Sequence, residues 1–243
     1  MTDDPWKRFR AATRARIGLG RSGDGLPTEA LLDFQYAHAR ARDAVHGAID
    51  FDALASEIGR PVIQVHSAAA ERDSYLRRPD LGRRLDSPSR EKLAGLLSEP
   101  TDAVFIVADG LSTAVQNHAL PLLALCLPAL TDWTLAPVIL AAQARVGLGD
   151  EIGALLKASM TVMLIGERPG LSVADSLGVY LTWAPRPGNS DAERNCISNI
   201  HAHGLSYEAA AAKLVWLMKE SRHRRLSGVG LKEDAALPPP EET

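Results

Sequence analysis

The sequence has little of what defines several large protein classes. Two cysteines, Cys126 and Cys196, exclude a disulfide-stapled scaffold and are typical of a reducing compartment. The longest apolar run, residues 120–130, includes two prolines and is about half as long as a membrane-spanning helix. A net charge of −3 gives no global attraction to nucleic acid or an anionic membrane. Because the first residues are charged rather than apolar, no secretory signal is expected, and we predict a soluble, cytoplasmic protein.

The residues that are present favour an ordered globular chain. Apolar residues make up 46% and charged residues 23%, which is enough apolar material for a sizeable core. The length of 243 residues corresponds to one large domain or two modest ones. The sequence has no internal repeat, and the proline-containing tail at 237–243 is expected to fray.

The first part of the chain has the spacing of short helices. Apolar residues recur every three or four positions within residues 1–17 and again within residues 28–49. A third short helix is predicted at 52–58, and a strand at 61–66. The residues that the helix at 28–49 is predicted to bury are Leu31, Phe34, Ala37, Ala41 and Val45.

Residues 71–90 differ in composition from the segments before them, because arginines and aspartates are mixed there with two prolines. This composition predicts a solvated connection, or one that a partner orders. We therefore expect a domain boundary within 67–90. The boundary divides the chain into an N-terminal helical region, residues 1–75, and an α/β domain, residues 76–243.

The second half of the chain alternates between strand-like and helical runs. Strands are predicted at 103–108, 136–141, 161–166 and 179–184, and helices at 112–127, 150–158 and 207–221. Such alternation predicts an α/β fold with a Rossmann-like, mostly parallel sheet and flanking helices. Because ligands of doubly wound sheets bind beyond the carboxyl ends of the strands, candidate site residues are sought there.

Two predicted strand ends carry candidate ligand residues. Asp109 is either a ligand or metal carboxylate or a turn residue, followed by Ser112 or Thr113 as the cap of the next helix. The second candidate is GERPGL at 166–171, where Glu167 can accept hydrogen bonds from amides and Arg168 can bind a phosphate or carboxylate. The alternative for this segment is a rigid turn with a surface ion pair.

Cys196 lies in a third candidate segment, RNCISNI at 194–200. It is either a nucleophile, with His201 or His203 as its base, or a small packed residue. A weaker candidate is the turn at 147–150, whose two glycines before Asp150 would let it cradle a ligand.

One helix face carries a polar stripe at helical spacing, interpreted as solvated or facing a partner. Its residues are Gln35, His38, Arg42 and His46.

Several catalytic and nucleotide-binding motifs are absent. The sequence contains no G-x-G-x-x-G, Walker loop, G-x-S-x-G, H-E-x-x-H or C-x-x-C, so nucleotide hydrolysis and dinucleotide binding lose support. The residues alone thus describe an α/β protein with a polar ligand crevice and no complete catalytic set. Two interpretations remain open, a cofactor-binding subunit and a hydrolase that uses Asp109 and Glu167 on a divalent metal.

Six segments, in order along the chain from about residue 14 to residue 221, carry a resemblance to a known family. They lie at 15–21, 37–46, 107–112, 149–153, 164–171 and 194–200, and GERPGL and CISNI are the most distinctive. The sequence resembles the small (light) subunit of ethanolamine ammonia-lyase, an adenosylcobalamin-dependent enzyme.

The resemblance implies membership of a multimer of large–small subunit pairs. The large subunit is expected to be a TIM barrel that holds ethanolamine, with the cobalamin between that barrel and this chain. Homolysis of the cobalt–carbon bond would give an adenosyl radical that abstracts hydrogen from ethanolamine, and rearrangement and elimination would give acetaldehyde and ammonia. The cofactor carries the difficult chemistry, and the protein positions and shields it.

The corrinoid contacts that the resemblance implies are Val146, Glu167 and Cys196. Glu167 and Cys196 are placed by the motifs around them, and Val146 by its distance to the segments at 149 and 164. Glu167 would accept hydrogen bonds from corrin side-chain amides, and Cys196 becomes a packing contact. The D-x-H-x-x-G motif of base-off cobalamin proteins is absent, so a base-on cofactor with no cobalt ligand or other metal ligand from this chain is expected.

The ends of the chain leave the location within the cell open. Some members of the family carry a longer N-terminal extension linked to solubility or to packing in a bacterial microcompartment. Residues 1–13 are interpreted either as a small encapsulation helix or as a packed helix. A third hypothesis for the whole chain is a purely structural partner, in which the helix at 28–49 holds the large subunit and the crevice contacts no cofactor.

Overall fold

The computed structural model describes residues 4–13, 15–96 and 99–232. The predicted fraying of the tail at 237–243 lies outside these residues. Two helices lie near the N-terminus, α1 (Lys7–Ala12) and α2 (Thr28–His46). They are followed by α3 (Phe51–Glu57), where the Asp50 side chain accepts a hydrogen bond from the Ala53 N–H, and by β1 (Val62–His66).

The rest of the chain supplies five strands and five helices within the described residues. In chain order they are α4 (Arg72–Arg77), α5 (Ser87–Ala94), β2 (Thr101–Ala108), α6 (Val115–Cys126), β3 (Val138–Ala142), α7 (Leu148–Leu155), β4 (Ala158–Gly166), β5 (Leu177–Trp183), β6 (Arg194–Ile200) and α8 (Tyr207–Arg224). The sequence reasoning did not predict β6, because polar residues interrupt its apolar ones. Neither Ser112 nor Thr113 caps α6, contrary to expectation, since Ala114 precedes that helix without a side-chain cap.

The strands form one six-stranded sheet in the order β1-β3-β2-β4-β5-β6. The first four strands in this order are parallel to one another, and β5 is antiparallel to both β4 and β6. One face packs against α6 and α8, and the other packs against α5 and α7. The predicted α/β class, with a mostly parallel sheet and flanking helices, is confirmed.

The predicted division at residue 75 stays a prediction. The sheet itself extends across that position, because β1 pairs with β3 from Val62↔Val138 to His66↔Ala142. Residues 71–90 are not a solvated connection but contain α4, a 3₁₀ turn at Leu81–Arg83 and the start of α5. Tyr75 is buried there, and Asp86 caps α5. Some charged side chains of this segment bind groups of the surrounding fold, as Arg72 binds Val45 O and Arg90 binds Glu151, whereas others stay exposed.

The predicted burial along α2 is wrong for the chain by itself. None of its residues is buried, and its apolar side chains Leu31, Leu32, Phe34 and Tyr36 are exposed. The C-terminal end of α2 is attached to the body, because Arg72 Nε donates to Val45 O (2.7 Å) and the Thr113 N–H donates to Ala44 O (3.1 Å). Of the face that the helical spacing predicts to be buried, Ala37, Ala41 and Val45 are half-covered by the body, and no element among the described residues covers the large side chains Leu31 and Phe34.

Candidate functional site

A cavity of about 870 Å³ lies beyond the carboxyl ends of β2, β3 and β4. Leu111, Val146 and Glu167, which follow these three strands, lie in its wall. Tyr180 on β5 and Arg194 on β6 extend the wall along the antiparallel part of the sheet. The cavity therefore occupies the position where an α/β sheet binds ligands, and its volume is in the range of about 300–1,000 Å³ that is usual for small-molecule sites.

Two glycines hold the strand ends at the floor of this cavity close together. The Leu111 N–H donates to Gly166 O at 2.9 Å, and Gly110 has φ +58°, a conformation that glycine adopts without strain. A Cβ at Gly110 would collide with Gly166 O, and a Cβ at Gly166 would collide with Ser112 O. This contact between β2 and β4 determines where Glu167 emerges from the sheet.

The carboxylate of Glu167 is oriented by the strands beside it. Its Oε2 accepts from Ser176 Oγ at 2.7 Å and from the Asn199 N–H at 3.2 Å. The side chain lies over Gly178, where a Cβ would come within 3.2 Å of it. Oε1 accepts no hydrogen bond within the described ranges, so one acceptor remains for a ligand. Arg168 is exposed and forms no ion pair with Glu167, so the surface-pair alternative for GERPGL is not supported.

Val146 and Cys196 lie on the same side of the sheet as Glu167. Val146 is partly buried in the turn before α7 and lines the cavity. Cys196 does not line the cavity directly, but it pairs across the strands with Tyr180, which does. The structure thus brings Val146 and Glu167 into one cavity and places Cys196 next to it, behind Tyr180.

The thiol of Cys196 does not have the environment of an activated nucleophile. Although the residue is exposed, the protein packed around its sulfur partly desolvates it, and this desolvation raises the pKa of the thiol. A nearby Tyr180 hydroxyl opposes the shift without reversing it. Since a reactive cysteine needs a lowered pKa, the packing interpretation of Cys196 is the better one.

A buried ion pair lies in the cavity wall, and the sequence reasoning missed it. Arg194 on β6 donates through Nη1 and Nη2 to the two carboxylate oxygens of Asp150 on α7, at 2.6 and 2.7 Å. Their side chains are only 4% and 3% exposed. Thr182 Oγ1 and Asn189 O accept further hydrogen bonds from the guanidinium. Both partners belong to segments singled out above, but 44 residues separate them, so sequence spacing could not reveal the pair.

The oxygens of Asp109 are bound to backbone groups of its own chain. Oδ2 accepts from the Gln143 N–H at 2.8 Å, and Oδ1 accepts from the Ala144 N–H at 3.0 Å. Burial raises the pKa of this carboxyl, while these amides and the Arg72 charge oppose the rise. Asp109 therefore fixes the loop after β3, and nothing in the structure favours its use as a metal ligand.

A second cavity, of about 530 Å³, lies between α2 and the loops before β5 and after β6, and three histidines, His118, His201 and His203, line it. His118 Nδ1 is 2.7 Å from the Tyr207 hydroxyl, and its Nε2 is 3.0 Å from an oxygen of Asp175. His201 and His203 line this cavity rather than the first one. Within residues 4–13, 15–96 and 99–232, no cluster of three or more His, Cys, Asp or Glu is arranged to hold a metal ion.

The polar stripe of α2 lies on the exposed helix. Its His38 stacks on Phe34, with ring centroids 6.5 Å apart. In the described part of the chain, no helix is both long enough and apolar enough to cross a membrane.

Comparison with known proteins agrees with the motif resemblance. The family model described as Ethanolamine ammonia-lyase light chain (EutC) matches residues 3–232. The ethanolamine ammonia-lyase small subunit of Pseudomonas aeruginosa strain PAO1 is 55% identical over 245 residues, which covers 97% of this chain and 89% of that protein. The small subunit of Pseudomonas putida strain W619 is 54% identical over 244 residues, with 97% and 90% coverage.

The small subunit of Pseudomonas syringae pv. tomato strain DC3000 is 53% identical over 243 residues, covering 96% of this chain and 85% of that protein. The recognition that was based on six short segments is confirmed. The chain belongs to the ethanolamine ammonia-lyase light-chain family.

Proposed function

We propose that this chain is the small subunit of an adenosylcobalamin-dependent ethanolamine ammonia-lyase and that the first cavity is its share of the corrinoid site. The observation that carries the proposal is the convergence of Val146 and Glu167 on one cavity, with Cys196 adjoining it. Family membership supports the reaction class, and the large subunit would complete the site. The same complex would convert ethanolamine to acetaldehyde and ammonia.

The residues of the cavity fit a corrinoid. A corrin ring carries amide side chains, whose N–H groups donate, and the carboxylate Oε1 of Glu167 is an acceptor with no partner among the described residues. Leu111, Val146 and Ile165 supply apolar wall against which the ring can pack. The oriented acceptor and the apolar part of the wall thus match a ligand that has an apolar ring with amides at its edge.

When bound, adenosylcobalamin would supply the radical through homolysis of its cobalt–carbon bond. This chain's own residues would bind, orient and exclude water. The acidic residues of the cavity wall nearest α7 are engaged, because Asp150 pairs with Arg194 and Glu151 pairs with Arg90 at 2.6 Å. No acid–base pair is thus poised for ethanolamine in the described wall, so we assign substrate binding to the large subunit.

The exposed side of α2 is the surface that we propose contacts the large subunit. Its apolar residues have no cover within the described part of the chain, and exposed apolar patches mark interaction sites. This placement retains the structural role considered above and adds it to the cofactor role. We also propose a multimer of large–small pairs, because the chain belongs to this family.

The first experiment measures acetaldehyde release from ethanolamine with adenosylcobalamin. It compares this chain alone, its large partner alone and the mixture. Activity is expected only in the mixture. A stable complex without activity would contradict the proposal. Hydrolase activity of the isolated chain that a chelator abolishes would support the metal-dependent alternative, which no contact of Asp109 favours.

The second experiment tests the cavity through Glu167→Gln in the assembled complex. The variant keeps the shape of the side chain but removes the charge, and hydrogen bonds to charged groups contribute about 1.5–3 kcal/mol. Spectrophotometric titration should therefore show adenosylcobalamin bound about tenfold more weakly. Glu208→Gln, an exposed change at the start of α8, is the matched control and should leave the affinity unchanged. Unaltered affinity in Glu167→Gln would leave only a structural role for this chain.

A further inference from the structure

The first cavity carries more unpaired positive charge than negative charge. Three of its carboxylates are neutralised by ion pairs: Asp80 with Arg78 at 2.7 Å, Asp150 with Arg194 at 2.6 Å and Glu151 with Arg90 at 2.6 Å. A fourth, Asp191, lies 3.4 Å from Arg194. By contrast, four cavity guanidinium groups have no carboxylate within 4.0 Å in the described ranges. These are Arg83, Arg84, Arg145 and Arg168. Because the single charge of Arg194 balances only one of Asp150 and Asp191, two carboxylate charges, those of Asp191 and Glu167, face four guanidinium groups, and the wall is complementary to an anion.

Arg145 is the most rigidly held of these arginines. Its guanidinium stacks on the Tyr75 ring at 4.3 Å from the centroid, and Nη2 donates to Tyr75 O at 3.2 Å. Its backbone N–H donates to Gly82 O at 2.8 Å. A Cβ at Gly82 would come within 2.8 Å of Arg145 Cγ, so the stack requires glycine at this position. The cation is held in place before any ligand arrives.

The fixed guanidinium still has donors to offer. Nη1 has no hydrogen-bond partner among the described residues, and Nη2 uses one of its two hydrogens. A planar guanidinium presents parallel N–H groups that match the two free oxygens of a phosphodiester. Arg83 and Arg84 are exposed beside it and add positive charge without being held. The site thus combines one guanidinium that is held in place with two exposed positive charges beside it.

We propose that Arg145, flanked by Arg83 and Arg84, forms an anion subsite that takes the phosphodiester of the corrinoid's nucleotide tail. The inference rests on the proposed function and adds an orientation to it. The phosphodiester is the anionic group of a cobalamin, and the ring carries amides instead. The tail would therefore lie against the arginines, and the ring amides against Glu167. The subsite would discriminate a complete cobalamin from a corrinoid that lacks the nucleotide.

The test compares adenosylcobalamin with adenosylcobinamide, a corrinoid without the nucleotide and its phosphodiester, by spectrophotometric titration of the assembled complex. Arg145→Met should weaken adenosylcobalamin binding at least tenfold and change adenosylcobinamide binding less than twofold. Arg145→Lys should fall between, because it keeps the charge and loses the fork. Arg77→Met is the matched control, since Arg77 is exposed on α4 and lies outside the cavity wall. Arg83→Met, at an exposed position, is the second variant if Arg145→Met does not fold.

The two corrinoids separate failure of this inference from failure of the proposed function. If the wild-type complex binds neither corrinoid, the proposed function is wrong. If it binds both and the Arg145 and Arg83 variants weaken both equally, or neither, the anion subsite is overturned. Selective loss of the phosphodiester-containing corrinoid would establish it. Raised ionic strength should likewise weaken adenosylcobalamin more than adenosylcobinamide in the wild type.

Discussion

The sheet and the helix α2 differ in how their apolar residues are covered. In β2 the six residues from Ala103 to Ala108 are all buried, because helices of the same chain cover both faces of the sheet. In α2, the longest helix of the described residues, none of 19 residues is buried. Both segments are rich in apolar residues at the spacing of their element. They differ because helices of the chain pack against β2, whereas no element of the described residues packs against the large apolar side chains of α2.

This difference shows that apolar spacing predicts a face but not its cover. The α2 residues that are half-buried form a strip of small side chains, including Ala37, Ala41 and Val45, along the side next to the body. The large side chains lie elsewhere on the helix, where no element of the described residues covers them. Exposed apolar patches mark interaction sites, and this is the observation behind the proposal that the large subunit covers α2.

The same substitution in each region is the sharpest test of this comparison. Phe105→Ala in β2 should lower the free energy of unfolding by about 3–5 kcal/mol, because the ring is 2% exposed and its loss leaves a cavity. Phe34→Ala in α2 should cost less than about 1 kcal/mol in the isolated chain, because its ring is 38% exposed. Urea unfolding of both variants measures the difference. Equal losses would mean that α2 belongs to the core.

The buried pair in the cavity wall should have the next largest effect. Arg194→Met leaves Asp150 as a buried charge without its partner, which costs about 3 kcal/mol or more. Arg224→Met is the matched control, because it breaks a surface pair with Glu220 (2.7 Å) whose loss costs about 0.5 kcal/mol. Thermal unfolding measures both. A small effect of Arg194→Met would show that water reaches Asp150 and that the pair does not join α7 to β6.

How much of this molecule is readable from the sequence depends on the range of the interactions. The continuous apolar runs of β2 and β4 mark strands covered on both faces, and Ser206 caps α8 where the helical spacing begins. These features depend on neighbouring residues in the chain. The prediction of a solvated connection at residues 71–90 is wrong because some of their charges bind groups far away in the sequence. Arg72 Nη1, for example, donates to Gly110 O at 2.8 Å.

The candidate site divides in the same way. Motif recognition placed Glu167 and Cys196, and the position of Glu167 after an apolar strand agrees with the end of β4. The Ser176 and Asn199 contacts of Glu167 and the Tyr75 stack of Arg145 depend on register and on loops that meet only in the fold. Single-sequence reasoning therefore finds the residues of the cavity edge but not the residues that orient them.

Substitutions on the exposed face of α2 should have the smallest effect on stability. Their effect on assembly with the large subunit should nevertheless be large. A double change, Leu31→Asp with Leu32→Asp, should alter the free energy of unfolding of the isolated chain by about 0.5 kcal/mol or less, because both side chains are exposed. It should abolish co-elution with the large subunit on size exclusion, since a charge buried at an interface is costly. Leu125→Asp, at an exposed leucine of α6, is the control and should leave assembly intact. A double variant that still assembles would place the large subunit on another face, and the exposed apolar residues of α2 would then need a different partner.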